Sequence, residues 1–144
     1  MKNGTVVSIN LSAAKGVKKM QVECAVITES GLEGDAHSGD WHRQISLLGI
    51  ESIDLFREKL ATIAPGDFAE NVTTRGIDWQ DVKIGNRVSI GEAIVEVSQI
   101  GKECHHGCSI REKVGDCVMP KEGIFAKVIT PGLVKVGDTI RVLG

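Results

Sequence analysis

The chain has 144 residues, 17 basic and 19 acidic side chains, a net charge of −2, 42% apolar residues and 25% charged ones. That length suits a single domain over residues 1–144, large enough to bury a core without disulfide staples. The slight acidic excess and 3% aromatic content argue against nucleic-acid binding; no apolar run reaches the ~20 residues of a membrane span and no secretory leader is visible, so a cytoplasmic protein with reduced, metal-bound or catalytic cysteines is expected.

Gly4–Asn10, rich in β-branched residues, predicts a first strand. From Val17 to Ile27 the pattern alternates, with Met20, Val22, Cys24 and Val26 on one face and Lys19, Gln21 and Glu23 on the other. This predicts one half-buried strand with Cys24 as a small buried hydrophobe. Ser30–Trp41 reads as a polar, glycine-rich loop, and Ile45–Leu48 as a short strand or a lead into a helix. Ile50, Ile53, Phe56 and Leu60 recur at helical spacing, predicting a helix over Ile50–Leu60 that Ala64-Pro65-Gly66 terminates. Phe68–Thr74 predicts a strand in which Glu70 and Asn71 point to opposite faces, so that one of them faces inward and needs a hydrogen-bond partner. Further strands are predicted over Val82–Ile90 and Ala93–Ile100, flanking a tight turn at Gly91-Glu92, and over Gly123–Ile129 and Thr139–Leu143. Val82-Lys-Ile-Gly-Asn-Arg-Val-Ser-Ile90 is echoed by Val134-Lys-Val-Gly-Asp-Thr-Ile-Arg-Val142, which suggests two similar strand entries. The sum is a mainly β fold, a closed or nearly closed β-barrel with one or two helical excursions.

Chemistry concentrates in Gly101-Lys-Glu-Cys-His-His-Gly-Cys-Ser-Ile110, which packs Cys104, His105, His106 and Cys108 together, with Cys117 further on. Cysteine reacts as the thiolate, which nearby cations such as Lys102, Arg111 and Lys113 favour. The segment therefore reads as a nucleophilic or sulfur-carrying thiol, as a zinc, copper(I) or iron–sulfur site, or as a loop with incidental buried thiols. The Cys-x3-Cys-x8-Cys spacing matches no common zinc signature. A second constellation gathers Asp35, His37, Asp40, His42 and Arg43 on the glycine-rich loop. Arg43 can grip an anion with its planar fork, so this loop is either an anion-binding loop or a solvated one. No phosphate-binding loop, dinucleotide fingerprint or Gly-x-Ser-x-Gly elbow is present.

In order along the chain, Gly31-Leu-Glu-Gly-Asp35, Phe68-Ala-Glu-Asn-Val72, Ile84-Gly85 with Ile90-Gly91, the Cys104 segment, Gly115-Asp-Cys-Val-Met-Pro120, Gly123-Ile-Phe-Ala-Lys-Val128 and Gly132-Leu-Val-Lys-Val-Gly-Asp138 resemble the MOSC domain family, named for the C-terminal domain of molybdenum cofactor sulfurases, in its small stand-alone prokaryotic form. The resemblance implies a barrel of the pyruvate-kinase type and a role in handling sulfur for molybdenum or tungsten enzymes. It makes Cys104 the match for the family's characteristic cysteine, a carrier of persulfide sulfur or a ligand to the molybdenum of a molybdopterin-type cofactor. Cys108 would serve as second thiol, His105 or His106 would move protons, and Asp35, His37, His42, Arg43, Asn71 and Lys102 would hold the cofactor. A cysteine desulfurase or other sulfur donor and a molybdenum-cofactor enzyme or biosynthesis protein are the implied partners. Pyridoxal phosphate belongs to a separate desulfurase domain and is not expected in this chain. The family's arginine or proline before the cysteine is Glu103 here, and a carboxylate there opposes the thiolate. The competing expectations are a molybdopterin- or molybdate-binding module without turnover, and a small zinc or iron–sulfur protein.

Overall fold

The computed structural model describes residues 3–12, 19–36, 38–39, 41, 44–58, 62, 64–66, 70–101 and 123–144. Its strands are β1 (Asn3–Leu11), β2 (Met20–Val22), β3 (Cys24–Thr28), β4 (Gly31–Leu32), β5 (Ile45–Gly49), β6 (Val72–Arg75), β7 (Arg87–Ile90), β8 (Ala93–Ile100), β9 (Ile124–Thr130), β10 (Gly132–Lys135) and β11 (Thr139–Val142). One helix, α1, covers Ile50–Arg57, and a 3-10 turn covers Trp79–Asp81.

Among the described residues, seven strands close into a barrel in the order β11-β7-β8-β9-β5-β6-β1, with β1 pairing back onto β11. The alternation that the sequence shows fills it. Along β8, Ala93, Val95 and Val97 are buried, and Val88 and Ile90 of β7 and Ile140 of β11 join them. Register shifts in β1 between Val6 and Ser8, and in β8 between Val97 and Gln99, are bulges of the kind that bend strands toward closure. All barrel pairs are antiparallel except β5 and β6, which run parallel. Parallel neighbours need a crossover, and α1 lies on it, burying Ile50 and Ile53. The Phe56 side chain and Leu60 of the predicted helical face lie outside the described part.

The internal echo is a repeated turn. Asn86 N donates to Lys83 O (3.0 Å) while the Asn86 side chain accepts from Lys83 N (2.9 Å). Asp138 and Lys135 repeat both bonds, at 3.0 and 2.8 Å. Gly85 and Gly137, third in each turn, have φ of 96° and 93°, which glycine alone adopts readily. The strands that follow, β7 and β11, pair with each other through Ile90↔Ile140 and Val88↔Val142.

Several predicted elements differ. The single strand over Val17–Ile27 is two, broken at Glu23, whose carbonyl accepts Val136 N (2.9 Å). β2 continues the barrel sheet through Ile9↔Val22, whereas β3 joins a second sheet, β10-β3-β4. The predicted faces are reversed on both sides of the break: Met20 and Val26 are exposed, Lys19 and Ile27 are buried, and Cys24 is exposed, so Cys24 is not the buried hydrophobe that strict alternation predicts. β7 begins at Arg87 rather than Val82, because Lys83–Asn86 is the turn. β6 begins at Val72; Glu70 and Asn71 precede it, and both are buried rather than one alone. The short strands β4 and β10 carry too little periodicity to be foreseen.

Candidate functional site

The barrel core is not uniformly apolar. Ser8 and Asn10 of β1, Ser46 of β5 and Thr73 of β6 are buried, together with Ser12, Lys19, Asp35, Gln44, Glu70 and Asn71 beside them. Strand register puts these residues at one end, where β1 finishes and β5 and β6 begin (Ile9↔Val72, Leu47↔Val72). Buried polar groups need partners, and here they find one another. Asn10 Nδ2 donates to Glu70 O (3.1 Å) and Thr73 Oγ1 (3.2 Å), and the Thr73 hydroxyl donates to Glu70 Oε2 (2.7 Å). The same Oε2 accepts Gly66 N at 3.0 Å. Asn71 Oδ1 accepts Ser46 N (2.9 Å), and its amide nitrogen donates to Asn10 O (3.3 Å).

Asp35 extends this layer outward. Its Oδ1 accepts Lys19 Nζ (2.6 Å) and Ser12 N (3.0 Å), with both charged side chains at 1% exposure or less. Ala36 N returns a bond to Ser12 O (2.7 Å). One carboxylate oxygen thus ties the loop after β4 to the end of β1 and to the residue just before β2. Gln44 closes the other end of that loop, donating to Glu29 O and Gly39 O (3.0 and 2.8 Å) and accepting Val128 N (2.8 Å).

Of the residues expected to form the site, the structure brings together Asp35 and Asn71, both through the last residues of β1. Both are buried, with Asp35 Oδ1 and the Asn71 amide bonded to protein, which suits holding loops. His37, His42, Arg43, Lys102, Cys104, His105, His106, Cys108 and Cys117 lie outside the described residues. The roots of the thiol segment are described. Gly101 N donates to Gly123 O (2.7 Å), and Gln99 Nε2 to Gly101 O (2.7 Å), so β8 and β9 stay paired up to the point where the segment leaves. Ile124 pairs with Leu47, while the Asp35 loop enters β5 at Ile45, two residues or about 7 Å away. Since β9 is antiparallel to β5, the two connections depart toward opposite ends of β5. Sequence reasoning missed Lys19, Gln44, Ser46 and Thr73. The available signal was the alternation of small polar with apolar residues, as in Val6-Val-Ser-Ile-Asn10.

Among the described residues no group of three or more His, Cys, Asp or Glu side chains could hold a metal ion, and no helix is long and apolar enough to cross a membrane.

The family model of the MOSC domain matches residues 34–141. The chain belongs to the MOSC domain family. Its barrel is similar to that of YuaD from Bacillus subtilis, with a TM-score of 0.81 at 20% identity, covering 97% of this chain and 95% of that one. YiiM from Geobacillus stearothermophilus (TM-score 0.75, 22% identity, 98% and 75% covered) and YiiM from Escherichia coli (0.68, 23%, 100% and 70%) share the fold. No curated protein matches. The MOSC domain is associated with molybdenum cofactor sulfurase-like proteins, and the family is linked in that way to the molybdenum cofactor. Its matched span takes in the whole thiol segment as well as the Asp35 loop.

Proposed function

We propose that this MOSC protein carries sulfur for molybdenum or tungsten enzymes as a persulfide on Cys104. The observation that supports the reading is the family match over residues 34–141, which includes a segment with two cysteines and two histidines in five positions. The Cys104 thiolate attacks the outer sulfur of a donor persulfide, such as that of a cysteine desulfurase. The donor's S–S bond breaks, its thiolate leaves, and Cys104 keeps the sulfane sulfur; no net oxidation occurs. Attack of the Cys108 thiolate on Cys104 Sγ then expels hydrosulfide to an acceptor and leaves a Cys104–Cys108 disulfide, which a dithiol reductant returns to two thiols. His105 or His106 takes the thiol proton and returns one to the leaving sulfur. Lys102 favours the thiolate against the opposing charge of Glu103.

The donor chemistry fits a molybdopterin-type cofactor: a thiolate at Cys104 for the metal, and Arg43 and Lys102 for a phosphate. When bound, that group supplies a metal centre able to take a sulfur ligand. Asp35 and Asn71 contribute by fixing the loops through the buried bonds described above.

Intact-mass spectrometry after incubation with a cysteine desulfurase and cysteine tests this. Wild type is expected to gain the mass of one sulfur atom, reversibly with dithiol, and Cys104→Ser to gain none while folding normally. A folded wild type that takes up no sulfur, or a Cys104→Ser variant that loads equally, would overturn it.

A further inference from the structure

A cleft of about 560 Å³ lies between α1 and the 3-10 turn, within the ~300–1,000 Å³ usual for small-ligand sites. Its wall and rim combine Leu55 (63% exposed), Ile100 (42% exposed), Trp79, Glu51 and Asp81. Two large apolar side chains standing in water around a concave surface form a place where apolar matter gains by burial. The Trp79 indole N–H is already donated to Thr74 Oγ1 (2.9 Å), so what the ring offers the cleft is π surface rather than a hydrogen bond. Glu51 is held at the rim by Gly76 N, which donates to its Oε2 at 2.9 Å. Among the described residues no Lys, Arg or His lines the cleft.

Carboxylates, an indole and an apolar wall, with no cation among the described lining residues, are complementary to one ligand class. We propose that this cleft binds a small organic cation with an apolar body, its ammonium or guanidinium group against Glu51 and Asp81 and its hydrocarbon or ring against Trp79 and Leu55. An anion would meet three carboxylates there, since Asp78 also lines the cleft. Ile100 and Ile124, which flank the roots of the thiol segment, also line the cleft, so a bound cation sits beside that segment's origin. The proposal does not depend on Cys104 carrying sulfur.

Phenethylamine, 2-phenylethanol and phenylacetate share a ring and differ in charge, and so separate the contributions. Each is titrated into the full chain carrying Trp41→Phe, following Trp79 fluorescence and its indole N–H resonance. The amine is expected to perturb Trp79 at the lowest concentration, with phenylacetate weakest. Glu51→Gln or Asp81→Asn should each weaken the amine about fivefold, as expected for loss of one partly exposed charge pair, and leave the alcohol unchanged. Asp81 sits in the exposed 3-10 turn, so that variant tests the charge even if Glu51→Gln disturbs the Gly76 contact. Phenylacetate binding as well as the amine, amine affinity unaltered in folded variants, or no response of Trp79 to millimolar amine would overturn the proposal.

Discussion

Replacing Asp35 by alanine tests the buried layer most directly. Its carboxylate and the Lys19 ammonium are 0% and 1% exposed, 2.6 Å apart, and the same oxygen accepts Ser12 N. The variant removes the carboxylate that a buried ammonium and a backbone donor share. Removing one partner of a buried pair costs about 3–5 kcal/mol, against about 5–15 kcal/mol of total stability for a domain of this kind. At roughly 2–4 °C per kcal/mol for a chain near this length, the midpoint should fall by roughly 6–20 °C. Thermal and urea unfolding followed by circular dichroism measure it. The double variant Lys19→Met with Asp35→Leu should recover much of the loss, because an apolar pair avoids the desolvation that the ions suffer. The single-variant penalty is therefore a cost of taking a buried carboxylate from Lys19, and the pair itself is not a large net source of stability. A loss below about 1 kcal/mol, the range of surface pairs, would refute the reasoning, as would a double-mutant coupling of zero.

Thr73→Val keeps a β-branched residue in β6 but deletes the hydroxyl that bonds Glu70 Oε2 and Asn10 Nδ2. Two buried polar atoms each lose a partner, so about 2–4 kcal/mol should be lost in urea unfolding, while Thr73→Ser loses less. Gly91→Ala should destabilise more than Gly85→Ala, by at least about 1 kcal/mol. A Cβ at Gly91 would lie 2.8 Å from Leu133 O and 2.6 Å from Asp138 Oδ2, whereas one at Gly85 meets nothing within 4 Å and feels only its backbone conformation. Equal losses at the two glycines would show that the β7–β8 turn shifts freely from its neighbour.

Inward-facing strands were readable because alternation has only one reading when one face is filled: β7, and β8 as far as the bulge after Val97, follow it residue by residue. The Lys-x-Gly-Asn and Lys-x-Gly-Asp echo was readable because a positive-φ glycine and a side-chain acceptor define a turn locally. Where partners lie far apart in sequence, the signal fails. Glu23 breaks the second strand through a carbonyl bond to Val136, and nothing local marks it. Cys24 then faces out, since a period of two fixes which residues share a face but not which sheet the face meets. Lys19 reads as a solvated lysine until its partner, sixteen residues on, is placed against it. Asp35 and Asn71 stood out as polar residues in ordered motifs, which suggested ligand contacts; in the structure Asp35 Oδ1 bonds Ser12 N and Lys19 Nζ, and the Asn71 amide bonds Ser46 N and Asn10 O, partners that no local pattern marks.

That bonding bears on how variants of this domain are to be read. Burying hydroxyls, amides and an ion pair in a barrel gains little over an apolar core, since their bonds replace bonds to water. What the layer does gain is position. Ser12 with Lys19, Asp35 with Gln44, and Gly66 with Glu70 flank three separate connections, and every one of these residues is bonded into the same end of the barrel. The thiol segment is anchored differently, by the backbone pair Gly101–Gly123 and the Gln99 side chain at the far end of β5. A change at Asp35 or Asn71 can therefore lower activity by releasing connections it never touches chemically. Sulfur loading of such a variant is informative only beside its unfolding curve. If loading at a temperature well below the midpoint matches wild type, the layer supports the fold alone; if it falls while the barrel remains intact, the layer sets the position of the reacting groups.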